Sequence, residues 1–433
     1  MVIDSANQIL EDHVNQLINR LRKVDIVIGI PSYNNSQTIK GVITNYALGL
    51  KKYYPGCKSL IVNSDGGSGD GTVEIVDKCH IPKEIEKIST HYKGTPGKGS
   101  AFKTIFEIAR KLEAKVCVVS DADTRSIYPE WTRALVEPVL GKGFGYVNPY
   151  YSRDKHDGTI TNSLVYPMTR MLYGLRIRQP IGGDFSFSHG LLQIFTRKTY
   201  WDSYPYISKF GVDIWMTTTA INEGFRVCQA VLGAKIHDDK DPGRQLADMY
   251  VQVVGTMFEL MGYYEFRWKR IMTSVQGTIF GDYRFFEIEK IDVDIEKLLD
   301  QFNEGYKKYR KVWKDIFSKN TFQEFKGLVS GSSDDIIHLS VELWAKIVYE
   351  YASAYNFIIE DEKETLLKSM LPLYFLRTAS FIREAEHLNY EIADAIVEGD
   401  AGVFERLKKY FRNRWSHYKN KKEPISIKDK IID

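Results

Sequence analysis

The residues with chemistry to offer lie in short polar loops that follow apolar runs. Asp121-Ala-Asp123 follows Lys115-Val-Cys-Val-Val-Ser120. In extended backbone, positions i and i+2 share a face, so both carboxylates can address one ligand. Hard oxygen donors in that arrangement suit Mg²⁺ or Mn²⁺ together with phosphate oxygens. The loop is not an EF-hand, because Arg125 and Ser126 stand where a further ligand and the obligatory glycine belong. Gly97-Lys98-Gly99 opens a helix-like stretch. It is not a Walker motif, since the earlier glycine and the following Ser or Thr at the required spacing are missing. Lys98 at a helix N-terminus suits a phosphate, with the free N–H groups of the first turn beside it. Pro31-Ser-Tyr-Asn34 and Asn63-Ser-Asp65-Gly-Gly-Ser-Gly-Asp-Gly71 close two further apolar runs. Asp65 is a candidate for holding a base or ribose, and equally for forming the turn. His237 follows the apolar stretch Val231-Leu-Gly-Ala-Lys-Ile236 and precedes Asp238-Asp239. Among nine histidines it has the setting to complete a carboxylate–imidazole site, provided the fold brings it near Asp123.

Something must carry these loops to one place. Val24–Ile30, Ser59–Val62 and Lys115–Ser120 read as buried strands, with helix-like segments at 36–51, 72–78 and 98–112 between them. Strand and helix alternate over short connections, the signature of βαβ units and a parallel sheet covered on both faces. Ligands of such sheets sit at the carboxyl ends of the strands, where the loops fall. From 144 to 240 the pattern is mixed, with strands at 144–147 and 225–230 and helices at 161–176 and 210–223. Beyond 243 it is almost wholly helical, with apolar spacing of three and four over 248–261, 341–355 and 366–382. The Gly-Ser-Ser-Asp-Asp stretch at 331–335 reads as a hinge. We expect an amphipathic helix at 5–22 within an N-terminal segment 1–23. A catalytic α/β domain over 24–240, a helical domain over 241–418 and a solvated tail over 419–433 follow.

The chain has 433 residues, 59 Lys and Arg against 56 Asp and Glu, and a formal net charge of +3. So small a net charge argues against nucleic-acid or anionic-membrane binding, which needs a concentrated basic face. No apolar run is long enough to cross a bilayer, and the N-terminus lacks a basic and apolar leader, so a cytoplasmic protein without membrane insertion is expected. Cys57, Cys79, Cys117 and Cys228 show no Cys-x-x-Cys spacing and read as reduced thiols. The C-terminal helices hold Trp313, Trp344 and many tyrosines, which we expect in a packed core, with an acceptor wall or a homodimer surface as the other uses.

In their order along the chain, Pro-x-x-Asn, Asp-Gly-Gly-Ser-Gly-Asp-Gly-Thr, Gly-Lys-Gly and Asp-Ala-Asp resemble a glycosyltransferase of the GT-A fold. Gln179-Pro-Ile-Gly-Gly-Asp184, Gly211-Val-Asp213-Ile and His237 narrow the likeness. They are similar to the retaining enzymes that make mannosylglycerate, glucosylglycerate and glucosyl-3-phosphoglycerate, the mannosylglycerate synthases most of all. The likeness covers 24–270 well and 290–400 loosely. It implies an α/β architecture, a Rossmann-like GT-A sheet with a mostly α-helical C-terminal region. It also implies that Asp123 and His237 bind a divalent metal, Mg²⁺ or Mn²⁺. Asp121 would contact the sugar nucleotide, with Pro31, Asp65 and Lys98 lining its pocket. Asp213 and the Gly182-Gly183-Asp184 segment would lie against the donor sugar and the acceptor hydroxyl, Asp213 and Asp184 being the catalytic candidates. Arg153 would pair with the acceptor carboxylate, and Thr161 would bond to it. The implied reaction moves glucose or mannose from a GDP- or UDP-linked donor to glycerate or a similar hydroxy acid, giving a compatible solute. Lys155 and His156 keep 3-phosphoglycerate open as the acceptor. An inverting transferase on a lipid or polysaccharide, and a catalytically silent sugar-nucleotide-binding protein, are the alternatives.

Overall fold

The computed structural model describes residues 10–237, 244–281, 288–330, 338–421 and 423–431. The chain forms two compact units that interleave along the sequence. The first takes residues 1–152, 177–240 and 277–288, and the second takes 153–176, 241–276 and 289–433. Residues 153–176 thus belong with the helical unit, although they precede the last strands of the sheet.

The strands are β1 (Ile26–Ser32), β2 (Ser59–Asp65), β3 (Ile85–His91), β4 (Val116–Val119), β5 (Tyr146–Ser152), β6 (Leu175–Arg176), β7 (Phe185–Ser188), β8 (Val227–Ala234), β9 (Val275–Gln276) and β10 (Thr278–Phe280). The first unit is built on an eight-stranded sheet in the order β10-β8-β5-β7-β4-β1-β2-β3. It is mostly parallel, and only β7 runs antiparallel, to β4 and β5. β2 and β4 are wholly buried and β1 nearly so, because their β-branched runs are covered on both faces. Helices Ile39–Tyr53, Lys98–Lys111 and Glu130–Lys142 carry the apolar stripes packed against them.

Chain order makes a functional point here. β1 is followed by β2 on one side, while β4 lies on its other side. Successive connections diverge at that place, leaving a crevice over the carboxyl ends of β1 and β4. Pro31 and Ser32 end β1, and Asp121 lies two residues beyond β4. The Rossmann-like sheet and helical C-terminal region expected from the sequence are both present.

The second unit is helical, with a small β6–β9 pair. Asp294, Ser318, Ser340 and Asn389 each accept a backbone N–H as N-caps, which fixes where four of its helices begin. Trp313 and Trp344 are fully buried, and their indole N–H groups donate to the carbonyls of Ser369 and Ser163. The packed core is thus the use the fold makes of these aromatics.

Several expected boundaries shift. The N-terminal helix runs Asp12–Leu21, and residues 1–9 lie outside the described residues. The expected hinge at 331–335 falls within 331–337, also outside them. The C-terminal stretch is not a solvated tail. Ile425 pairs with Ile358, and the buried Ile427 donates its N–H to Glu362, so its two isoleucines fasten it to the helical unit. All four cysteines are free, three of them buried.

Candidate active site

Asp121-Ala-Asp123 leaves β4 into a loop held at several points. Ser120 N–H donates to the Gly29 carbonyl of β1, and Thr38 Oγ1 donates to the Ala122 carbonyl at 2.7 Å. On the far side, Arg125 N–H donates to Ile236, and Ser126 Oγ accepts from Ile236 N–H. Thr124 and His237 form an antiparallel bridge. That bridge sets Asp123 and His237 at adjoining backbone positions, although 114 residues separate them in sequence. A carboxylate and an imidazole at such positions fit a divalent ion whose other places go to phosphate and water. Among the described residues, no group of three or more His, Cys, Asp or Glu side chains gathers to hold a metal alone. Asp238 and Asp239 lie outside the described residues.

Behind the loop runs a chain of alternating charges. Lys98 Nζ sits 2.8 Å from Asp121 Oδ1 and 3.0 Å from Asp213 Oδ2. Lys235 Nζ sits 3.2 Å from Asp121 Oδ2 and 2.5 Å from Asp184 Oδ2. Both oxygens of Asp121 are therefore engaged by ammonium groups. Burial works against the charge of Lys98, but Asp121 and Asp213 outweigh it and hold the amine well above its usual range. Burial, reinforced by Asp121, pushes the Asp213 carboxyl up against the pull of Lys98. Among the described residues, Asp213 Oδ1 is buried with no hydrogen-bond partner.

Local sequence explains this geometry. Gly183 has φ +88°, and a Cβ there would lie 2.0 Å from Asp121 Oδ2. Only glycine lets the 182–184 segment pass so near the carboxylate. A Cβ on Gly99 would lie 1.7 Å from the Ile207 carbonyl oxygen, which explains the second glycine of Gly-Lys-Gly. The same approach corrects one expectation. Gly99 and Ser100 N–H groups donate to Lys209 and Ser208, so they are not free for a phosphate. The cation at this helix start is the Lys98 side chain.

Two further expectations are corrected. Asp65 is fully buried, and its carboxylate accepts from Gly67 N, Ser68 N, Ser68 Oγ and Ser32 Oγ at 2.7–2.8 Å. It organises the glycine-rich turn and has no lone pair left for a ribose. Asp184 is also fully buried and accepts from Ser120 Oγ, Asp121 N, Tyr151 OH and Lys235 Nζ. Four donors saturate the carboxylate, which makes it a counter-ion rather than a group facing sugar or acceptor. Gly182 and Gly183 are buried against Pro149 and Asp121, and Pro31 pairs with Ser64 inside the sheet.

Sequence reasoning missed Lys235. Its signal was a lone lysine inside an otherwise apolar strand run, since a buried amine requires carboxylate partners.

Arg153 and Thr161 belong to the second unit, where they flank Gly158. Arg153 Nη1 lies 3.6 Å from Asp157 Oδ2. Lys155, kept open above for a phosphate, is committed elsewhere. Its amine donates to the carbonyls of Ala385, Glu386 and Leu388 at 2.7–3.0 Å, closing the end of helix Lys363–Ala385. His156 Nδ1 meets the Ile291 carbonyl at 3.1 Å, while its buried Nε2 has no partner among the described residues.

Residues 27–203 match the family described as Glycosyl transferase family 2. Among solved structures, one similar chain is glucosyl-3-phosphoglycerate synthase from Mycobacterium tuberculosis in complex with Mn²⁺, UDP and phosphoglyceric acid. It is 21% identical, covers 57% of this chain and 82% of its own, and has a TM-score of 0.44. The same enzyme with Mg²⁺ and UDP is 20% identical over 57% and 83% of the two chains, with a TM-score of 0.43. No curated protein matches the sequence.

Proposed function

We propose, for a chain that carries a family 2 glycosyl transferase domain over residues 27–203 and is a glycosyltransferase, the transfer of a hexose from a nucleoside diphosphate sugar to the hydroxyl of a small carboxylate such as glycerate. One observation carries this reading. A fixed ammonium, Lys98, and the Asp121–Asp123 loop stand together by the carboxyl end of β4, beside the place where successive connections diverge. Departure of a nucleoside diphosphate builds negative charge, and a preorganised cation stabilises that charge without reorganising at the moment of reaction. Asp121 and Asp213 hold the amine protonated and in place. Asp123 and His237 would hold a Mg²⁺ or Mn²⁺ ion brought with the diphosphate, and that ion would supply Lewis-acid stabilisation of the leaving group.

Retention of the anomeric configuration fits the side chains present. Asp184 is saturated, so among the described residues Asp213 remains as the one carboxylate of this cluster with an unpartnered oxygen. A same-face attack, in which the leaving phosphate takes the acceptor proton, needs no protein nucleophile. The donor base and sugar, uracil or guanine and glucose or mannose, turn on contacts that a donor matrix reads directly.

Arg153 and Thr161 are assigned to the acceptor, because a guanidinium recognises a carboxylate bidentately. Lys155 is occupied by helix carbonyls, which favours an acceptor without phosphate. The second reading, 3-phosphoglycerate, draws on the unpartnered His156 Nε2.

The decisive assay is a matrix of UDP- and GDP-linked glucose and mannose against glycerate, 3-phosphoglycerate and lactate. Transfer to a hydroxy acid is expected, with the α configuration of the donor kept in the product and read from an equatorial anomeric proton. Donor hydrolysis with no transfer to any acceptor would overturn the reading. Arg153→Ala is expected to raise the acceptor KM by about 10- to 100-fold, the worth of a charged hydrogen bond, with the donor KM nearly unchanged. Equal effects on both substrates would remove the acceptor assignment. Asp123→Ala is expected to abolish the Mn²⁺-dependent part of nucleoside diphosphate binding, measured by calorimetry with and without the ion. Unchanged metal dependence would take Asp123 out of the metal site.

A further inference from the structure

The net charge of +3 averages over an uneven distribution. Residues 406–421 contain seven Lys and Arg and no Asp or Glu. Five of these cations, Arg406, Lys409, Arg412, Lys419 and Lys421, are exposed. Most lie on helix Lys408–Lys419, whose apolar face is sealed. Phe411 and Trp415 pack around the buried Trp268 at ring distances of 4.9 and 5.2 Å.

That tryptophan closes the short helix Glu265–Trp268, which belongs to the same compact unit. The neighbouring 263–275 segment turns large apolar groups outward. Tyr263 is 53% exposed, Phe266 55%, Met272 72% and Val275 62%. Arg267 and Arg270 are exposed among them, with the Arg267 guanidinium 5.4 Å from the centre of the Phe266 ring. The one acid of the segment, Glu265, is neutralised by Lys269 and Lys419 and accepts from the Trp415 indole at 3.0 Å. The two segments therefore meet at Glu265, each turning several cations outward, with the exposed aromatic and aliphatic side chains on the 263–275 segment.

We propose that this surface docks the protein on a bilayer rich in anionic headgroups. Clustered cations are drawn to acidic lipid, and exposed aromatic and aliphatic side chains gain by entering the headgroup boundary. Nucleic acid would satisfy the cations, but its phosphates give nothing to Met272 and Val275. The contact is peripheral, since no helix among the described residues is long and apolar enough to cross a membrane. It also corrects the inference drawn from net charge alone, because the concentrated basic face thought to be missing is present.

The test is co-sedimentation of the full chain with vesicles of phosphatidylcholine alone or with about one third phosphatidylserine. Binding at least about tenfold greater on the acidic vesicles is expected, falling as salt rises. The double variant Arg267→Glu/Arg412→Glu is expected to bring binding to the phosphatidylcholine level, and Phe266→Ser/Met272→Ser to lower it about tenfold. Should the first pair disturb folding in a thermal melt, Lys409→Glu/Lys421→Glu makes the same charge test. Equal binding to the two vesicles, or acidic-vesicle binding unaffected by charge reversal, would overturn the proposal. So would polyuridylate binding that outcompetes the acidic vesicles while the Phe266→Ser/Met272→Ser variant binds them at full strength, the outcome for a nucleic-acid surface.

Discussion

Replacing Lys235 by methionine is expected to cost the fold about 3–5 kcal/mol, the usual penalty for removing one partner of a buried ion pair. The side chain is 2% exposed, and its loss strands the fully buried Asp184 together with one oxygen of Asp121. Methionine fills much of the same volume, so the penalty is electrostatic rather than a cavity. For a unit of this size, each kcal/mol moves the thermal midpoint by about 2–4 °C. A drop of about 6–20 °C in circular dichroism or calorimetry follows. Adding Asp184→Asn should return more than half of it, since the amide removes the stranded charge and still meets Ser120 and Tyr151. A midpoint unmoved in Lys235→Met, or no recovery in the double variant, would contradict the charge chain.

The second large effect falls on the reaction. Lys98→Ala is expected to lower kcat by about 10²- to 10³-fold, the range seen when one preorganised group that stabilises developing charge is removed. The acceptor KM should stay within a few-fold, because Lys98 is assigned to the donor alone. The same variant leaves Asp213 without its counter-ion, and its carboxyl moves further upward from a position burial has already raised. Activity lost at neutral pH should therefore not return on acidification, where Asp213 is protonated but the cation is still missing. Steady-state kinetics across pH tests both parts. A kcat within threefold of the parent would end the assignment of Lys98.

Much of this arrangement could be read from residue order. The apolar runs at 24–30, 59–62 and 115–120 became β1, β2 and β4, since continuous β-branched stretches bounded by Gly, Pro and Asp have few other uses. The helix expected at 341–355 is found as Val341–Tyr355. What escaped were elements whose identity depends on neighbours. β3 lies at the sheet edge, half-exposed and mixed in polarity, and β7 is a four-residue antiparallel insertion. Neither leaves a periodic trace.

The site divides in the same way. The four polar loops are legible because each ends a strand. Which carboxylate faces outward was not legible, since Asp65, Asp121, Asp184 and Asp213 have the same side chain. Saturation by four donors separates Asp65 and Asp184 from the others, and those donors come from residues far off in sequence. The split of the chain into interleaved units was hidden for a like reason. Nothing in the composition of 153–176 ties it to helices that begin well over a hundred residues later.

The amine of Lys155 gives the second unit an unplanned reporter. It fastens the loop between Arg153 and the helical turn that begins at Thr161 to three carbonyls at the end of a 23-residue helix. Any small molecule that orders the loop must also quiet that helix terminus. Amide exchange around 383–388, or a fluorophore placed there, would then register occupancy through the Lys155 amine, turning a structural knot into a binding gauge.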